Sequence, residues 1–484
     1  MSRRGDWRHL VGFFVVALVL RGGLTAWVTL AERWSMLGPE AAANSVLTTE
    51  RALLPDEQLY LELGRVITGK GEFQAPPWER LVRSIWQEAE KRLEAPQIDR
   101  KKLAFFGTWR YIAAMPLYPL MISALVRGFG DSPLLAIRLV QALLGSISCL
   151  LVYSVAAQFF QGRGRLWAGW LAAIWPFWVF FTVLVLTETL FIMLLLITWY
   201  LAARIAAKPT ISDILMCGLF AAATFLTGGT VGGLFLLLVP VLVLVGKGHR
   251  RRALAAGAGV VLVLLIGISP WVARNYVITR MESEEAHEAK QGQLVLTTCT
   301  VGRSLYEAMG PEADGGPAMD KIQVRAELGN LTEYEVDQWY ADQAWKAMKA
   351  DPWRVVRLAG VKFLRTWSVV PNFSEYRRPF YMVVSMVSVI PVLVFAGIGL
   401  WLVRRQWRDW LLVILPVVYF TLLRMISVGS VRYRLPMMGF VIMLAGVGLS
   451  AVFSRFDRER TVERSGPDDG QHPDPVERSQ AVEG

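Results

Sequence analysis

The chain of 484 residues is 54% hydrophobic and only 19% charged, with 19 Trp and a mean hydropathy of +0.39, too apolar for a water-soluble domain of this length. Its formal charge of +11 does not indicate nucleic acid, because Lys and Arg fall in short clusters between long apolar runs. Three cysteines, Cys149, Cys217 and Cys299, supply neither a disulfide framework nor metal-ligand spacing.

Crossing a hydrocarbon core of about 30 Å takes roughly 20 helical residues. The apolar runs therefore predict an all-α polytopic membrane protein with about ten transmembrane helices, interfacial helices and two extracytoplasmic loop regions. Residues 1–9 form a basic N-terminus. The run 10–30 is longer than a signal h-region and lacks a small-residue cleavage pattern, so it reads as a retained span. In the first outer region, 31–133, the stretch "LLPDEQLYLELGRVI" reads as a short amphipathic helix with Pro55 at its start. On a helical wheel Asp56 shares the apolar side with Leu59, Tyr60, Leu63, Val66 and Ile67, while Gln58, Glu62 and Arg65 occupy the far side. The segment "MPLYPLMISALVRGF", 115–129, is apolar but short and carries two prolines, the pattern of a re-entrant or interfacial helix.

Spans follow near 134–159, 166–184, 186–206, 213–228, 231–246 and 253–272. In the second outer region, 273–378, lies "WRVVRLAGVKFLRTW", with Arg354, Arg357, Lys362 and Arg365 on one face and Val356, Phe363 and Trp367 on the other, as in a helix lying flat on the outer surface. Spans near 379–403, 409–427 and 435–453 complete a membrane unit of residues 10–453. Residues 454–484 read as a charged, disordered tail. Alternate connections hold Arg3, Arg4 and Arg8; Arg163 and Arg165; Arg204 and Lys208; Lys247, Arg250, Arg251 and Arg252; Arg404, Arg405 and Arg408; and Arg455, Arg458 and Arg460. Such clusters mark the cytoplasmic side, which puts both termini in the cytoplasm and the two loop regions outside.

Glu188 stands in "VLVLTETLFIMLLLITWYL", 183–201, a run otherwise free of charge. A charge within a span costs on the order of 2.5 kcal/mol or more, so it faces a cavity or a partner unless it snorkels to the interface. Asp56 is by topology on the same outer side, though an Asp at a helix start also serves as a simple cap. The external arginines are Arg274 in "SPWVARNY", Arg303 in "TVGRSLYEAMG", and Arg432 and Arg434 in "GSVRYRLPMMGF". Taken singly they read as anchors; together they offer planar, permanently charged donors suited to phosphate. Tyr433 suits a membrane interface. Arg21 and Arg138 read as helix–helix partners.

Taken in order, "PDEQLY", "PLYPLMISALVRGFG", "AIRLVQALLGSISCLLVYSVAAQFF", "AAIWPFWVFFTVLVLTETL", "SPWVARNY", "KFLRTW" and "RYRLP" resemble the membrane-embedded GT-C glycosyltransferases, in particular the protein-mannosyltransferase and aminoarabinose-transferase-like branch (glycosyltransferase family 39-like) that uses polyprenyl-phosphate sugars. The resemblance implies that Asp56 is the first-loop catalytic carboxylate with Glu57 as its acidic neighbour, that Glu188 is a second acidic position of the active site, and that Arg432 and Arg434 form the basic motif before the last span. The chain departs from the family at Met115 and Leu117, where Lys or His is frequent, and after Leu226 and Thr227, where glycines replace a basic residue.

The expected activity is transfer of a sugar from a polyprenyl-phosphate donor to a lipid, polysaccharide or protein acceptor at the extracytoplasmic face. Asp56 acts as general base; Arg432, Arg434, Arg274 and Arg303 bind the donor phosphate; Tyr60 and Tyr433 position substrate. A single base predicts inversion, with a two-carboxylate retaining scheme left open. No nucleotide-binding Gly-rich loop is found. No cofactor is required by the sequence, and a divalent cation at Asp56 and Glu57 stays open. A transporter or flippase of lipid-linked saccharides and a non-catalytic scaffold are the rival readings.

Overall fold

The computed structural model describes residues 3–36, 55–68, 112, 114–130, 133–160, 162–246, 250–287, 291–317, 328, 331–372 and 377–464. Among these the architecture is all-helical. The helices are α1 (Arg3–Met36), α2 (Pro55–Ile67), α3 (Leu117–Phe129), α4 (Pro133–Phe159), α5 (Gly164–Ile174), α6 (Pro176–Phe181), α7 (Glu188–Ala207) and α8 (Ile211–Thr227). They continue with α9 (Gly232–Val245), α10 (Arg250–His287), α11 (Val301–Met309), α12 (Glu333–Ala350), α13 (Pro352–Thr366), α14 (Pro379–Val403), α15 (Trp407–Ile426) and α16 (Leu435–Arg464).

Six stretches are long and apolar enough to cross a membrane: Asp6–Thr29, Pro133–Phe159, Glu188–Ala207, Arg250–Glu284, Pro379–Ile426 and Val431–Ser454. The protein is an integral membrane protein. Residues Leu117–Phe129, Ile211–Thr227 and Gly229–Val245 form shorter apolar helices. The run expected to span at 166–184 is instead broken. Pro176 disfavours helical backbone at the residue before it, and Trp175 is extended, with φ −66° and ψ 116°. The chain then turns through 182–187 and delivers Glu188 as the first residue of α7. The tail expected from residue 454 begins as helix, since α16 runs to Arg464; residues 465–484, and the side chains of Arg3, Arg4, Arg455, Arg458 and Arg460, lie outside the described residues.

α16 is buried nearly all round, with Met437, Met438, Phe440, Ile442, Met443 and Ala445 fully inaccessible, as befits a helix that is apolar on every face. α1 by contrast exposes Val11, Val15, Val19 and Trp27, a surface suited to lipid. The basic side of α13 turns inward rather than outward. Arg354 donates to the carbonyls of Met309, Gly310, Pro311 and Ala313, and Lys362 donates to Ile426 O at 3.0 Å and Met309 Sδ at 3.4 Å. Arg365 reaches Gly429 O at 3.3 Å. Exposed with Arg357 are Val356, Phe363 and Leu364. Free carbonyls at neighbouring helix ends and turns outcompete water for these donors, leaving an apolar face outside.

Candidate active site

α2 forms where the sequence predicts it, with Pro55 at its first position and Asp56 and Glu57 in its first turn. Its buried residues are Glu57, Leu61, Leu63 and Gly64; Leu63 lies on the face where the helical wheel places Asp56, while Glu57, Leu61 and Gly64 lie about 100° round from it. Glu57 is the buried acid, 2% exposed, and its Oε1 accepts the Val185 N–H at 2.7 Å. Asp56 is the accessible one.

The turn that delivers Glu188 is held from several sides. Arg138 donates through Nε to Val183 O at 2.9 Å, and Gln141 donates through Nε2 to Thr182 O at 3.0 Å and Leu184 O at 2.7 Å. Gln141 Oε1 accepts from the Tyr118 hydroxyl at 2.6 Å. The Tyr118 ring meets Tyr60 edge-on, with centroids 5.0 Å apart. α2, α3, α4 and the start of α7 thus form one polar frame.

Into this frame projects Arg432 from the short 3₁₀ turn Val431–Arg434. That turn is pinned by Asn372, whose Oδ1 accepts the Val431 N–H at 2.7 Å. Arg432 donates through Nε to Glu188 Oε1 and through Nη1 to Asp56 Oδ2 at 2.6 Å. Glu188 is buried at 8% exposure. A guanidinium carries five N–H donors, so two are committed to these carboxylates and three point elsewhere.

Tyr60 borders this trio. Burial first, then the Asp56 and Glu188 carboxylates, push its phenol up, with Thr187 in hydrogen-bond contact; Tyr60 therefore stays a protonated hydroxyl able to donate. Tyr433 lies beside it in sequence to Arg432, whose guanidinium stands 5.8 Å from the ring.

Arg434, two residues from Arg432, points the other way. It is fully buried, donates to Thr366 O at 3.4 Å and Ser368 O at 2.5 Å, and lies 5.3 Å over Phe177. It clamps the end of α13 and does not join the trio. Arg274 donates to Asn275 Oδ1 at 2.9 Å and stacks 4.7 Å over Trp271. It neighbours a second acidic group in which burial, then Glu282, push the Glu333 carboxyl up. Arg303 belongs with Asp337, whose Oδ1 accepts the Arg303 backbone N–H at 2.9 Å.

Arg424 is a residue the sequence reading missed. Its guanidinium lies 4.4 Å over the Tyr433 ring and donates through Nη1 to Ser427 Oγ at 3.3 Å, so the Tyr433 ring has two guanidinium groups near it. The available signal was a lone Arg closing the apolar helix α15, the same signal that singled out Glu188. Among the described residues no group of three or more His, Cys, Asp or Glu could hold a metal ion, and Asp56 and Glu57 face different partners rather than a shared centre.

Residues 114–273 match the family model described as dolichyl-phosphate-mannose-protein mannosyltransferase. This mannosyltransferase match, within the GT-C class, upholds over that segment the resemblance carried by the motif order. It includes Glu188, Arg138 and Gln141 but neither Asp56 nor Arg432. No curated protein matches in sequence. Among solved structures, the chain is similar to the archaeal oligosaccharyltransferase AglB from Archaeoglobus fulgidus in complex with an inhibitory peptide and a dolichol-phosphate, at 11% identity and TM-score 0.44, covering 75% of this chain and 45% of that one. An apo oligosaccharyltransferase from Archaeoglobus fulgidus gives 12% identity and TM-score 0.49, with 96% and 52% covered. ArnT from Cupriavidus metallidurans bound to undecaprenyl phosphate gives 17% identity and TM-score 0.30, with 74% and 72% covered. The chain spans about half the length of the oligosaccharyltransferases it matches.

Proposed function

We propose that the protein is a membrane glycosyltransferase that moves a sugar from a polyprenyl-phosphate donor to an acceptor hydroxyl or amine at the extracytoplasmic face. The observation that carries this reading is the trio Asp56–Arg432–Glu188, assembled from three distant segments. The family model's description, which names dolichyl phosphate, supports a lipid-phosphate donor.

In this reading the donor's lipid lies between helices, so no nucleotide site is needed. The phosphate approaches the remaining N–H donors of Arg432 and draws the guanidinium away from Asp56. The freed carboxylate then takes a proton from the acceptor as its oxygen or nitrogen attacks the anomeric carbon. The bond from that carbon to the phosphate oxygen breaks, its electrons leave with polyprenyl phosphate, and the proton stays on Asp56. General-base help of this kind contributes about 10² to 10⁴ in rate. Arg432, with Arg424 behind Tyr433, stabilises the charge gathering on the phosphate. Displacement by one base inverts the anomeric centre. Glu57 acts through Val185 as a positioning residue, and Glu188 orients Arg432. Arg434, Arg274 and Arg303 support the frame and are not assigned to the donor phosphate.

The test is incubation of the purified protein in nanodiscs with radiolabelled polyprenyl-phosphate sugars and a cell-envelope extract as acceptor. Wild type is expected to release polyprenyl phosphate and label an acceptor, and Asp56→Asn to do neither while remaining monodisperse. Substantial transfer by Asp56→Asn defeats the assignment. Movement of intact donor between leaflets without release of lipid phosphate would instead favour a flippase.

A further inference from the structure

α1, α4, α6 and the start of α7 meet around a small cavity of about 10 Å³, walled in part by Arg21, Gly145, Ser148, Thr182, Glu188 and Thr189. That is the room of roughly one water molecule. Two residues on its wall each keep one polar atom without a hydrogen-bond partner among the described residues: Nε of Arg21, a donor, and Oε2 of Glu188, an acceptor. Both residues are more than nine-tenths buried. The other nitrogens of Arg21 are occupied, Nη1 by Ala17 O at 3.2 Å and Ala173 O at 3.1 Å, and Nη2 by Cys149 Sγ at 3.6 Å. None of these is an anion, and a guanidinium in an apolar bundle calls for one.

The arrangement is built rather than incidental. A Cβ at Gly145 would stand 2.8 Å from Arg21 Nε, so the bare glycine is what lets that atom lie against the cavity. Ser148 and Thr182 already donate their hydroxyl protons, to Leu144 O at 2.9 Å and Val179 O at 2.6 Å, which leaves their lone pairs available as acceptors.

We propose that one ordered water occupies this cavity, accepting from Arg21 Nε–H and donating to Glu188 Oε2, and that Arg21 is thereby a positioning residue for the Glu188–Arg432 pair. The water's second proton goes to a wall hydroxyl, giving it about three hydrogen bonds. Glu188 is then held on both oxygens, by Arg432 on one and by the Arg21-bound water on the other. Its effect on sugar transfer rests on the function proposed above; the water and its two partners do not.

The experiment is infrared difference spectroscopy of the full-length protein in nanodiscs on exchange into oxygen-18 water. Wild type is expected to show a hydrogen-bonded O–H stretch from an internal water. Arg21→Met and Ser148→Val should both lose it, the second by filling the space while leaving both charges in place. In the donor assay Ser148→Val is expected to lower kcat by about tenfold to a hundredfold through misplacement of Arg432. Absence of the band in wild type, or its persistence in both variants, overturns the proposal. Loss of the band with kcat unchanged overturns the positioning role. Should Arg21→Met not fold, the wild-type and Ser148→Val spectra decide the matter. If the band behaves as expected but wild type itself transfers no sugar, the bridge stands and the proposed function falls.

Discussion

Asp56 and Arg432, 376 positions apart in the chain, meet at 2.6 Å, and the pair is lopsided. The carboxylate side chain is 53% exposed and the guanidinium 21%, while Glu188 on the other edge of Arg432 is only 10% exposed. One guanidinium is therefore anchored on a buried acid and leans on an accessible one, which suits the proposed mechanism, in which Asp56 is released when the donor phosphate binds.

Arg432→Lys should be a severe change. Lysine presents a point charge and cannot hold two carboxylates through a planar fork. On the proposed mechanism kcat/KM for the polyprenyl-phosphate donor falls by about 10² to 10³, measured by steady-state release of lipid phosphate. A lysine variant with wild-type kinetics would remove Arg432 from the donor site.

The two acids differ in what they contribute to stability. Asp56 pairs in contact with solvent, where such bridges contribute about 0 to 1 kcal/mol, whereas leaving one partner of a buried pair alone costs about 3 to 5 kcal/mol. Asp56→Asn is expected to leave the thermal midpoint in detergent nearly unchanged and Glu188→Leu to lower it clearly. Equal losses would contradict the burial difference.

Glu57 and Asp56 should separate in kinetics. Glu57→Gln keeps a carbonyl oxygen for the Val185 N–H and should retain much of the activity. Glu57→Leu strands that buried N–H, at a cost of about 1 to 3 kcal/mol, and shifts the turn that carries Glu188. A Glu57→Gln variant as inactive as Asp56→Asn would make Glu57 a catalytic group in its own right.

The sequence marked the start of α2 through Pro55, and Glu188 and Arg432 through charges at the edges of apolar runs. It did not distinguish the roles of Asp56 and Glu57. Adjacent helical residues differ by about 100°, and the buried position went to the acid that had a backbone N–H to meet, a contact 128 residues away. Arg434 turns away from the trio for a related reason. A tight turn sends residues two apart to opposite sides, and only the tertiary fold supplies the Thr366 and Ser368 carbonyls that receive it. The amphipathic pattern of α13 was visible, but its inward basic side depends on acceptors in other segments that no periodicity reveals.

Lys362 should give stability a pH dependence. It is fully buried, and burial, then Arg354, pull its amine down from 10.5 to about 8. A lysine whose folded value lies below its unfolded one is hardest to bury below the folded value. The fold is thus penalised below about pH 8 and relieved as pH rises toward 10.5. The stability of Lys362→Met relative to wild type should therefore fall by about 3 kcal/mol between pH 7 and pH 11, followed by thermal unfolding across that range. A pH-independent difference would show that Lys362 does not titrate there.

Gly64→Ala should destabilise despite the preference of helices for alanine, about 1 kcal/mol per residue. A methyl at this position overlaps Ile122 Cγ2 and comes 3.3 Å from the Ser123 backbone nitrogen, so α2 must lift from α3. Displacement of α2 carries Asp56 away from Arg432. The expected readout is a lowered thermal midpoint together with reduced transfer; a gain in stability would mean that the two helices can part without consequence.

The clasp around Arg432 can also close only late in assembly. Its three members come from α2, the head of α7 and the turn before α16, so they coincide only after almost the whole chain has been inserted and packed. A nascent or misassembled chain lacks the completed charge arrangement, and on the proposed chemistry it cannot transfer the sugar.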